Sequence, residues 1–446
     1  MKFYSTRNKN HLVNFKEAIF QGISPEGGLY NPVEMPDLSN LFNSMDENIS
    51  FIDSSAMLAS EILKDDLSSE RIKSLCKKAF PFKPEITDAG NNIFILELYH
   101  GPSSAFKDFG AFFLAAAMEE LLAGDDRKAI ILTATSGDTG SAVAQAFHNK
   151  KNIEVVILYP SGRVSPLQEK QLTTLGGNVT ALEVKGSFDD CQKMVKETFL
   201  CKELSKLPLT SANSINLGRL IPQSFYYVYA VNQLRKKYDN LIFSVPSGNF
   251  GNLTAGVLAA KWGLPVKRFI AATNINKEVP EYLESGIFSP RPSAQTYSNA
   301  MDVGNPSNFE RLKDIFNDDY KKMGELIAGE WVNDDDTFNA VKSYYEKTKK
   351  FIDPHTAVGY VASQRYIKKL KLSKGNCSCG CSKDNTALIT LSTAHPGKFL
   401  EVVEQATGVK QILPPQLEKI LTLKKVSVLI NNTTDALTSF LLKKFN

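Results

Sequence analysis

A lysine at the start of an apolar helical pattern is the first residue of this sequence whose position suggests chemistry. Lys107 follows a Gly-Pro turn and two serines in HGPSSAFKDFG, and bulky apolar residues recur with helical spacing over 109–122. Ser103 or Ser104 is predicted to be the N-cap of this helix, which places Lys107 in its first turn. A cation is disfavoured there and among apolar neighbours, so we expect a neutral, nucleophilic amine suited to Schiff-base chemistry. The alternative is a lysine that extends to solvent.

The loop GNFGN is a candidate anion site. It consists of Gly248, Asn249, Phe250, Gly251 and Asn252, after the strand-like NLIFSVPS and before a helical stretch. Its glycines let the backbone fold closely round an oxyanion, and the following helix offers free N–H groups. No Lys-Ser/Thr pair follows the glycines, which weakens a nucleoside-triphosphate or dinucleotide interpretation. A tight turn without a ligand is the alternative.

The loop SGDTG, which follows KAIILTAT, is a second candidate. Its backbone donors and the hydroxyls of Thr135, Ser136 and Thr139 are suited to binding a carboxylate. Asp138 does not suit an anion site, so we expect its side chain to face elsewhere. A solvated turn between strand and helix is the alternative here.

A third polar segment, SANSINLGRL, precedes an aromatic-rich helix. Asn213, Ser214 and Asn216 supply neutral donors, and Arg219 supplies a planar fork suited to phosphate. Taken alone, the segment also fits a helix cap followed by a surface arginine. His355 and His395 are expected to be structural, and no role is assigned to Lys398 because no catalytic triad signature accompanies it.

Strand, turn and helix alternate from about residue 86 onwards. Such alternation predicts an α/β protein with parallel sheets covered on both faces, and ligands at the carboxyl ends of the strands. Residues 1–85 are expected to form a small N-terminal domain and 86–446 the catalytic region. Within that region, 110–235 is predicted as a smaller nested α/β subdomain, and 86–109 plus 236–446 as a larger one.

Composition narrows the class of protein further. The chain has 446 residues and a formal net charge of +4, and its basic residues are scattered, so no nucleic-acid surface is expected. No apolar run reaches membrane-spanning length and the first residues do not resemble a signal peptide, so we expect a cytoplasmic protein. Cys377, Cys379 and Cys381 crowd into one polar stretch without zinc spacing, and no metal is predicted.

The ordered set of motifs resembles the threonine synthase family, in its longer bacterial and fungal type, among the fold-type II pyridoxal-phosphate enzymes. The resemblance covers nearly the whole chain. It runs through KFYSTR, SPEGGLYNP, SSAFKDFG, TATSGDTGSA, SANSINLGR, PSGNFGN, DPHTAVGY and STAHPGKF. It implies two parallel-sheet domains of the tryptophan synthase β type and a small N-terminal domain.

The resemblance also implies roles for individual residues. Lys107 would carry pyridoxal phosphate as a Schiff base, and GNFGN would hold the cofactor phosphate. Thr393 matches the residue facing the pyridine nitrogen, and Asp138 lies where the wider fold type often has asparagine near the ring hydroxyl. The substrate residues implied are Ser104, Thr135, Ser136, Thr139, Asn213, Ser214 and Arg219.

The reaction implied is conversion of O-phospho-L-homoserine and water to L-threonine and phosphate, with Lys107 as the local base. A serine or threonine dehydratase of the same fold is an alternative, although its substrates have no phosphate for Arg219, Asn213 and Ser214 to bind. A non-catalytic homologue that retains cofactor binding is another. The longer synthases suggest a monomer or a weak homodimer.

Overall fold

A computed structural model of the chain describes residues 1–123, 128–373 and 385–445. Cys377, Cys379 and Cys381 lie outside the described residues. The strands are β1 Phe3–Ser5, β2 Asn8–Val13, β3 Tyr30–Pro32, β4 Glu85–Asp88, β5 Ile93–Glu97, β6 Ala129–Ala134, β7 Ile153–Pro160, β8 Val179–Lys185, β9 Leu209–Thr210, β10 Asn240–Pro246, β11 Arg268–Thr273, β12 Ile327–Trp331, β13 Thr386–Ser392 and β14 Val428–Asn431.

Helices separate most of these strands, and three further 3-10 turns cover Lys202–Leu204, Asn299–Met301 and Pro396–Phe399. The α-helices are α1 Phe15–Gln21, α2 Ser39–Ser44, α3 Phe51–Leu63, α4 Ser69–Ala79, α5 Lys107–Leu121, α6 Asp138–Phe147, α7 Pro166–Thr173, α8 Phe188–Phe199, α9 Leu217–Leu220, α10 Gln223–Leu234, α11 Gly251–Lys261, α12 Glu278–Ser285, α13 Phe309–Ile315, α14 Tyr320–Leu326, α15 Asp334–Thr348, α16 Pro354–Ser373, α17 Leu400–Thr407, α18 Pro415–Leu421 and α19 Thr434–Phe445.

The strands form three sheets. The larger subdomain has a six-stranded sheet of order β12-β11-β10-β13-β5-β4, in which only β4 runs antiparallel to its neighbour. The smaller subdomain has a five-stranded sheet of order β14-β8-β7-β6-β9, and its paired strands are parallel. The N-terminal domain has a three-stranded antiparallel sheet of order β2-β1-β3. The predicted α/β fold with two parallel-sheet domains and a small N-terminal domain is confirmed.

The C-terminal strand differs from the predicted division into subdomains. We assigned all of 236–446 to the larger subdomain, but β14 pairs with β8, and α19 packs against α8. This end of the chain therefore belongs to the smaller sheet. The strand is short, at the edge and largely exposed, so its residues carry no buried pattern that would reveal its partner.

Two successive helices, α3 and α4, make up most of residues 51–79. Helix α3 ends at Leu63, and Ser68 then starts α4 by accepting a hydrogen bond from the Arg71 backbone N–H. Both helices pack on the body of the protein, α3 against α10 and α4 against α5. The N-terminal domain therefore shares one core with the smaller subdomain, centred on aromatic rings that include Phe51, Phe80 and Phe109.

Helix α5 is the central element of this core. Ten of its fifteen residues are buried, and it contacts α4, α6 and α9. Its alanines and Gly110 allow α9 to approach closely, since a Cβ on Gly110 would lie 2.6 Å from the carbonyl oxygen of Arg219. Close packing thus fixes Lys107, at the head of α5, relative to Arg219. Within the described residues, no helix has the length and apolarity needed to cross a membrane.

Candidate active site

A cavity of about 100 Å³ lies between the carboxyl ends of the two parallel sheets. The loops after β6, β10 and β13 all reach it, as expected for ligand sites in α/β folds. Thirteen of the predicted site residues line it, namely Lys107, Ser136, Asp138, Thr139, Asn213, Ser214, Arg219, Gly248, Asn249, Phe250, Gly251, Asn252 and Thr393. Ser104 and Thr135 do not.

Lys107 is the first residue of α5, and its side chain lines the cavity. The strand β13 positions it, because the Phe106 backbone N–H donates to the Thr393 carbonyl (2.8 Å) and Ala105 bridges Ala394. Burial lowers the pKa of the lysine to about 8, the positive charge of Arg219 also lowers it, and Asp138 opposes the shift. The predicted direction of the shift therefore holds.

The predicted serine N-cap is wrong. The residue before the helix is Phe106, and no side chain caps the helix N-terminus. Ser104 has a left-handed backbone (φ 56°), and its carbonyl accepts from the His395 backbone N–H (3.0 Å). The helix starts later because Asp108 binds the Ser103 backbone N–H (2.9 Å) and holds 103–106 in a turn.

Asp138 lines the cavity, and its carboxylate contacts two side chains from outside the SGDTG loop. Its Oδ1 lies 2.7 Å from the Lys398 Nζ and accepts from the Gln168 Nε2 (3.0 Å). Burial alone would raise the pKa of Asp138, but the nearby Lys398 and Lys107 ammonium groups outweigh it and hold this pKa well below its ordinary value. Sequence reasoning missed Lys398 because only the fold brings it to Asp138.

The GNFGN loop has the geometry of an anion site. Phe250 adopts a left-handed conformation (φ 60°) and directs the chain into α11, which begins at Gly251. Gly251 and Asn252, the first two residues of α11, line the cavity, whereas the Leu253 backbone N–H donates to the Asn252 Oδ1 (3.0 Å). The Asn249 Nδ2 donates to the Ser214 hydroxyl (2.6 Å), while the Asn252 side chain is used within the loop, since its Nδ2 donates to the Pro246 carbonyl.

Position 248 has space only for glycine, because the backbone of residues 300 and 301 lies close to it. A Cβ there would lie 2.7 Å from the Met301 Cα and 2.8 Å from the Ala300 carbonyl oxygen, so the backbone itself would have to move. We expect Gly248→Ala to weaken cofactor affinity roughly 5- to 150-fold, because overpacking costs about 1–3 kcal/mol and displaces the loop. Gly324→Ala is the matched control, since no atom lies within 4 Å of its Cβ. Fluorescence titration of each cofactor-free variant with pyridoxal phosphate measures this, and equal affinities would contradict it.

The close approach of Gly137 to Gln168 and the buried Thr135 hydroxyl fix the shape of the SGDTG loop. Gly137 has φ 134°, and an added Cβ would overlap the Gln168 amide. The Thr135 Oγ1 accepts from the Gly137 and Gly140 backbone N–H groups (2.9 and 2.8 Å), so this hydroxyl shapes the loop from behind. Ser136 and Thr139 face the cavity.

Arg219 is a buried cation that lines the cavity. Its Nη1 donates to the Ala212 carbonyl, and its Nε has no hydrogen-bond partner among the described residues. Burial lowers the pKa of this guanidinium to about 10, although it stays charged at neutral pH. Burial also raises the pKa of the neighbouring Asp108 to about 7, so that carboxyl compensates Arg219 only in part. The cavity therefore carries excess positive charge and is suited to anionic ligands.

A second buried arginine connects the N-terminal domain to the cavity. Arg311 of α13 donates to the Tyr30 carbonyl (3.0 Å), to Asn308 and to the Ile215 carbonyl. The Asn308 Nδ2 in turn donates to the Ser214 hydroxyl (3.3 Å). Sequence reasoning missed this arrangement, because no local motif marks an arginine with acceptors in two distant segments as well as in its own.

The two histidines have structural contacts. The Nδ1 of His355 lies 2.7 Å from the Asp353 carboxylate and its Nε2 accepts from the Ala300 backbone N–H (3.1 Å), which positions the cavity-lining Ala300 and Met301. Burial lowers the pKa of His395 to about 4, and its Nδ1 accepts from the Gly397 backbone N–H.

Several residues to which the sequence analysis gave no role in binding also line the cavity. They are His355, Phe106, Phe188, Gln192, Gln223, Met301 and Val303.

Sequence profiles of three protein families match the chain. Residues 82–382 match the family described as pyridoxal-phosphate dependent enzyme. Residues 2–80 match the family described as threonine synthase N terminus, and residues 356–441 match threonine synthase, C-terminal. The N-terminal match ends close to the predicted domain limit at residue 85.

Known proteins resemble the chain over nearly its full length. The threonine synthase of Haemophilus influenzae is 41% identical over 99% of this chain and 100% of that protein. The crystal structure of threonine synthase from Escherichia coli has a TM-score of 0.90 and 39% identity, covering 99% of this chain and 100% of that one. The pyridoxal-phosphate-bound threonine synthase from Brucella melitensis has a TM-score of 0.88 and 31% identity, covering 99% and 98%.

Proposed function

The chain belongs to the threonine synthase family of pyridoxal-phosphate-dependent enzymes, and from that premise we propose how its residues perform the reaction. The enzyme converts O-phospho-L-homoserine and water to L-threonine and phosphate. Lys107, the proposed cofactor residue, and Arg219, the proposed substrate-phosphate residue, both line the cavity. This observation supports the assignment of the reaction to that cavity.

The residues present fit pyridoxal phosphate. The loop 248–252 and the N-terminus of α11 would hold its phosphate, where the approach of Gly248 to Met301 leaves no space for a side chain. Lys107 would hold its aldehyde carbon, and the Thr393 hydroxyl would face the pyridine nitrogen. When bound, the cofactor supplies an electron sink that stabilises negative charge on the carbon skeleton of the substrate.

We assign the proton transfers to Lys107. Its lowered pKa of about 8 gives the released amine a substantial neutral fraction near neutral pH, so it can accept the α proton and return protons later. Few other acid-base groups face the cavity among the described residues. Asp138 is already paired with Lys398, and His355 is hydrogen-bonded through both ring nitrogens.

Two polar groups of the cavity would bind the two ends of the substrate. We propose that Arg219, with Asn213 and Ser214, binds the phosphate, since a buried guanidinium that lines the cavity offers a strong charge-assisted hydrogen bond. We propose that the 135–140 loop binds the substrate carboxylate through Ser136, Thr139 and its backbone N–H groups. Thr135 contributes by shaping that loop, and Ser104 by supporting the turn before Lys107.

An assay of three substrates separates this function from a dehydratase of the same fold. Purified enzyme should release phosphate from O-phospho-L-homoserine with formation of an equal amount of threonine. Serine and threonine should be poor substrates, since neither has a phosphate for Arg219. Oxo-acid release from serine or threonine, without phosphate release from phosphohomoserine, would contradict the assignment.

The substrate is a small molecule, and we propose that the enzyme acts in the cytoplasm as a monomer or weak homodimer without nucleic acid. The nearly balanced charge of +4 supports the absence of a nucleic-acid partner. Light scattering after size-exclusion chromatography at several concentrations tests the oligomeric state. A single species of twice the 49.3 kDa chain mass at every concentration would contradict it.

A further inference from the structure

Lys398 forms a buried ion pair that connects the two subdomains. It lies in the 3-10 turn Pro396–Phe399, directly after β13 of the larger sheet, whereas Asp138 begins α6 of the smaller subdomain. The Lys398 Nζ is 2.7 Å from the Asp138 Oδ1, and the two side chains are 0% and 4% exposed. The same Nζ donates to the Ser103 carbonyl (2.9 Å). The lysine thus bridges Asp138 and the turn before Lys107.

Two glutamines of α7 bind the same two acceptors as Lys398. Gln168 donates to the same Asp138 oxygen (3.0 Å), and the Gln171 Nε2 donates to the Ser103 carbonyl (3.0 Å). Lys398 does not line the cavity, whereas Asp138 does. The effect of Lys398 on chemistry in the cavity must therefore be exerted through Asp138 or through its charge.

Asp138 has two possible cationic partners, Lys398 and Lys107. A buried carboxylate with one amine partner would form an ion pair with it and hold that amine in the charged form. The direct contact with Lys398 satisfies Asp138 and leaves Lys107 without a dedicated anion. The titratable groups in the cavity wall near Lys107 are Asp138, Arg219 and His355. Lys398, Asp108 and Asp353 lie behind that wall and contact or act on these groups.

We propose that Lys398 is a positioning residue for the reaction. By holding Asp138 in a buried ion pair, it prevents that carboxylate from pairing with Lys107 and keeps the Lys107 amine available for the cofactor and for proton transfer. The proposal rests on the function proposed above, but it concerns a property of the amine that can be measured without substrate.

Competitive labelling of the full-length, cofactor-free chain with trace acetic anhydride tests the proposal. Mass spectrometry of the Lys107 peptide at a series of pH values gives the titration midpoint of this amine, which we expect near pH 8 in the parent chain. In Lys398→Met the midpoint should rise by about one pH unit or more, because Asp138 then faces Lys107 alone. A Lys398→Met chain that is folded by near-ultraviolet circular dichroism yet keeps the parent midpoint would overturn the proposal.

A double-mutant cycle tests whether the effect passes through Asp138. In an Asp138→Asn background, adding Lys398→Met should change the Lys107 midpoint much less than it does in the parent chain. Equal changes in both backgrounds would contradict a role through Asp138. The double variant replaces the ion pair with two neutral side chains, so it is expected to fold even where Lys398→Met alone does not. If Lys398→Met alone does not fold, Lys398→Arg is used instead. This variant retains the charge and should preserve the parent midpoint, and a raised Lys107 midpoint in Lys398→Arg would overturn the proposal.

Lys425→Met is the matched control. Lys425 also pairs with carboxylates, Glu169 and Glu183, but it does not line the cavity. Its loss should leave the Lys107 midpoint unchanged, and a change equal to that of Lys398→Met would show that the response is not specific. The labelling result is independent of turnover. Failure of the phosphohomoserine assay therefore counts against the proposed function, and an unshifted midpoint counts against Lys398.

Discussion

Replacing Lys107 with alanine should reduce threonine formation from O-phospho-L-homoserine by at least about 10³-fold. The variant loses the covalent attachment of the cofactor and the general base together, and general-base catalysis alone contributes typically 10²–10⁴-fold. Because the side chain lies at the head of α5 and makes no ion pair among the described residues, folding should persist. Phosphate release under saturating cofactor measures the loss.

The absorption spectrum supplies a second readout for Lys107. The parent protein should show a visible band that borohydride bleaches, and the Lys107→Ala protein should lack a band attached to the chain after dialysis. Lys425→Met serves as the control, since Lys425 does not line the cavity and this variant should retain the covalently attached band. Equal turnover in the parent and Lys107→Ala proteins would contradict the role given to this residue.

Replacing Arg219 with methionine should lower kcat/KM for O-phospho-L-homoserine by roughly 30- to 3,000-fold. Removing one partner of a buried charge-assisted contact costs about 2–5 kcal/mol, and each 1.4 kcal/mol is a factor of ten. The affinity for pyridoxal phosphate should change much less, because we assign the cofactor phosphate to the 248–252 loop. Steady-state kinetics and a cofactor titration separate the two effects.

Arg365→Met is the matched control for Arg219. Arg365 pairs with Glu330 and Asp336 away from the cavity, so its loss should leave kcat/KM unchanged. If Arg219→Met instead weakens cofactor binding while KM for the substrate stays constant, then Arg219 binds the cofactor phosphate and our division of the two phosphate sites is wrong.

Local sequence patterns were sufficient for the elements around the cavity. Buried strands such as β7 and β10 are mostly apolar, and each is followed by small polar residues that mark a turn. Parallel pairing then brings the carboxyl ends of such strands together, which is why loops far apart in sequence could be assigned to one cleft. The lowered pKa of Lys107 was also predictable, because it depends on its local position in a buried helix.

Interactions between distant segments could not be predicted from local pattern. The Lys398–Asp138 pair joins residues 260 positions apart, and Arg311 has acceptors in two distant segments. The edge strand β14 has too few buried residues to indicate its sheet. The serine cap failed for a local reason, since the Asp108 carboxylate binds the Ser103 backbone N–H and the helix starts only at Lys107.

Mass spectrometry of the borohydride-reduced holoenzyme tests the central claim most directly. Reduction fixes the cofactor on the amine that carries it, and digestion then identifies the modified lysine. We predict one pyridoxyl phosphate group per chain, located on Lys107. Modification of Lys398 or of a surface lysine instead, or an unmodified chain, would contradict the account.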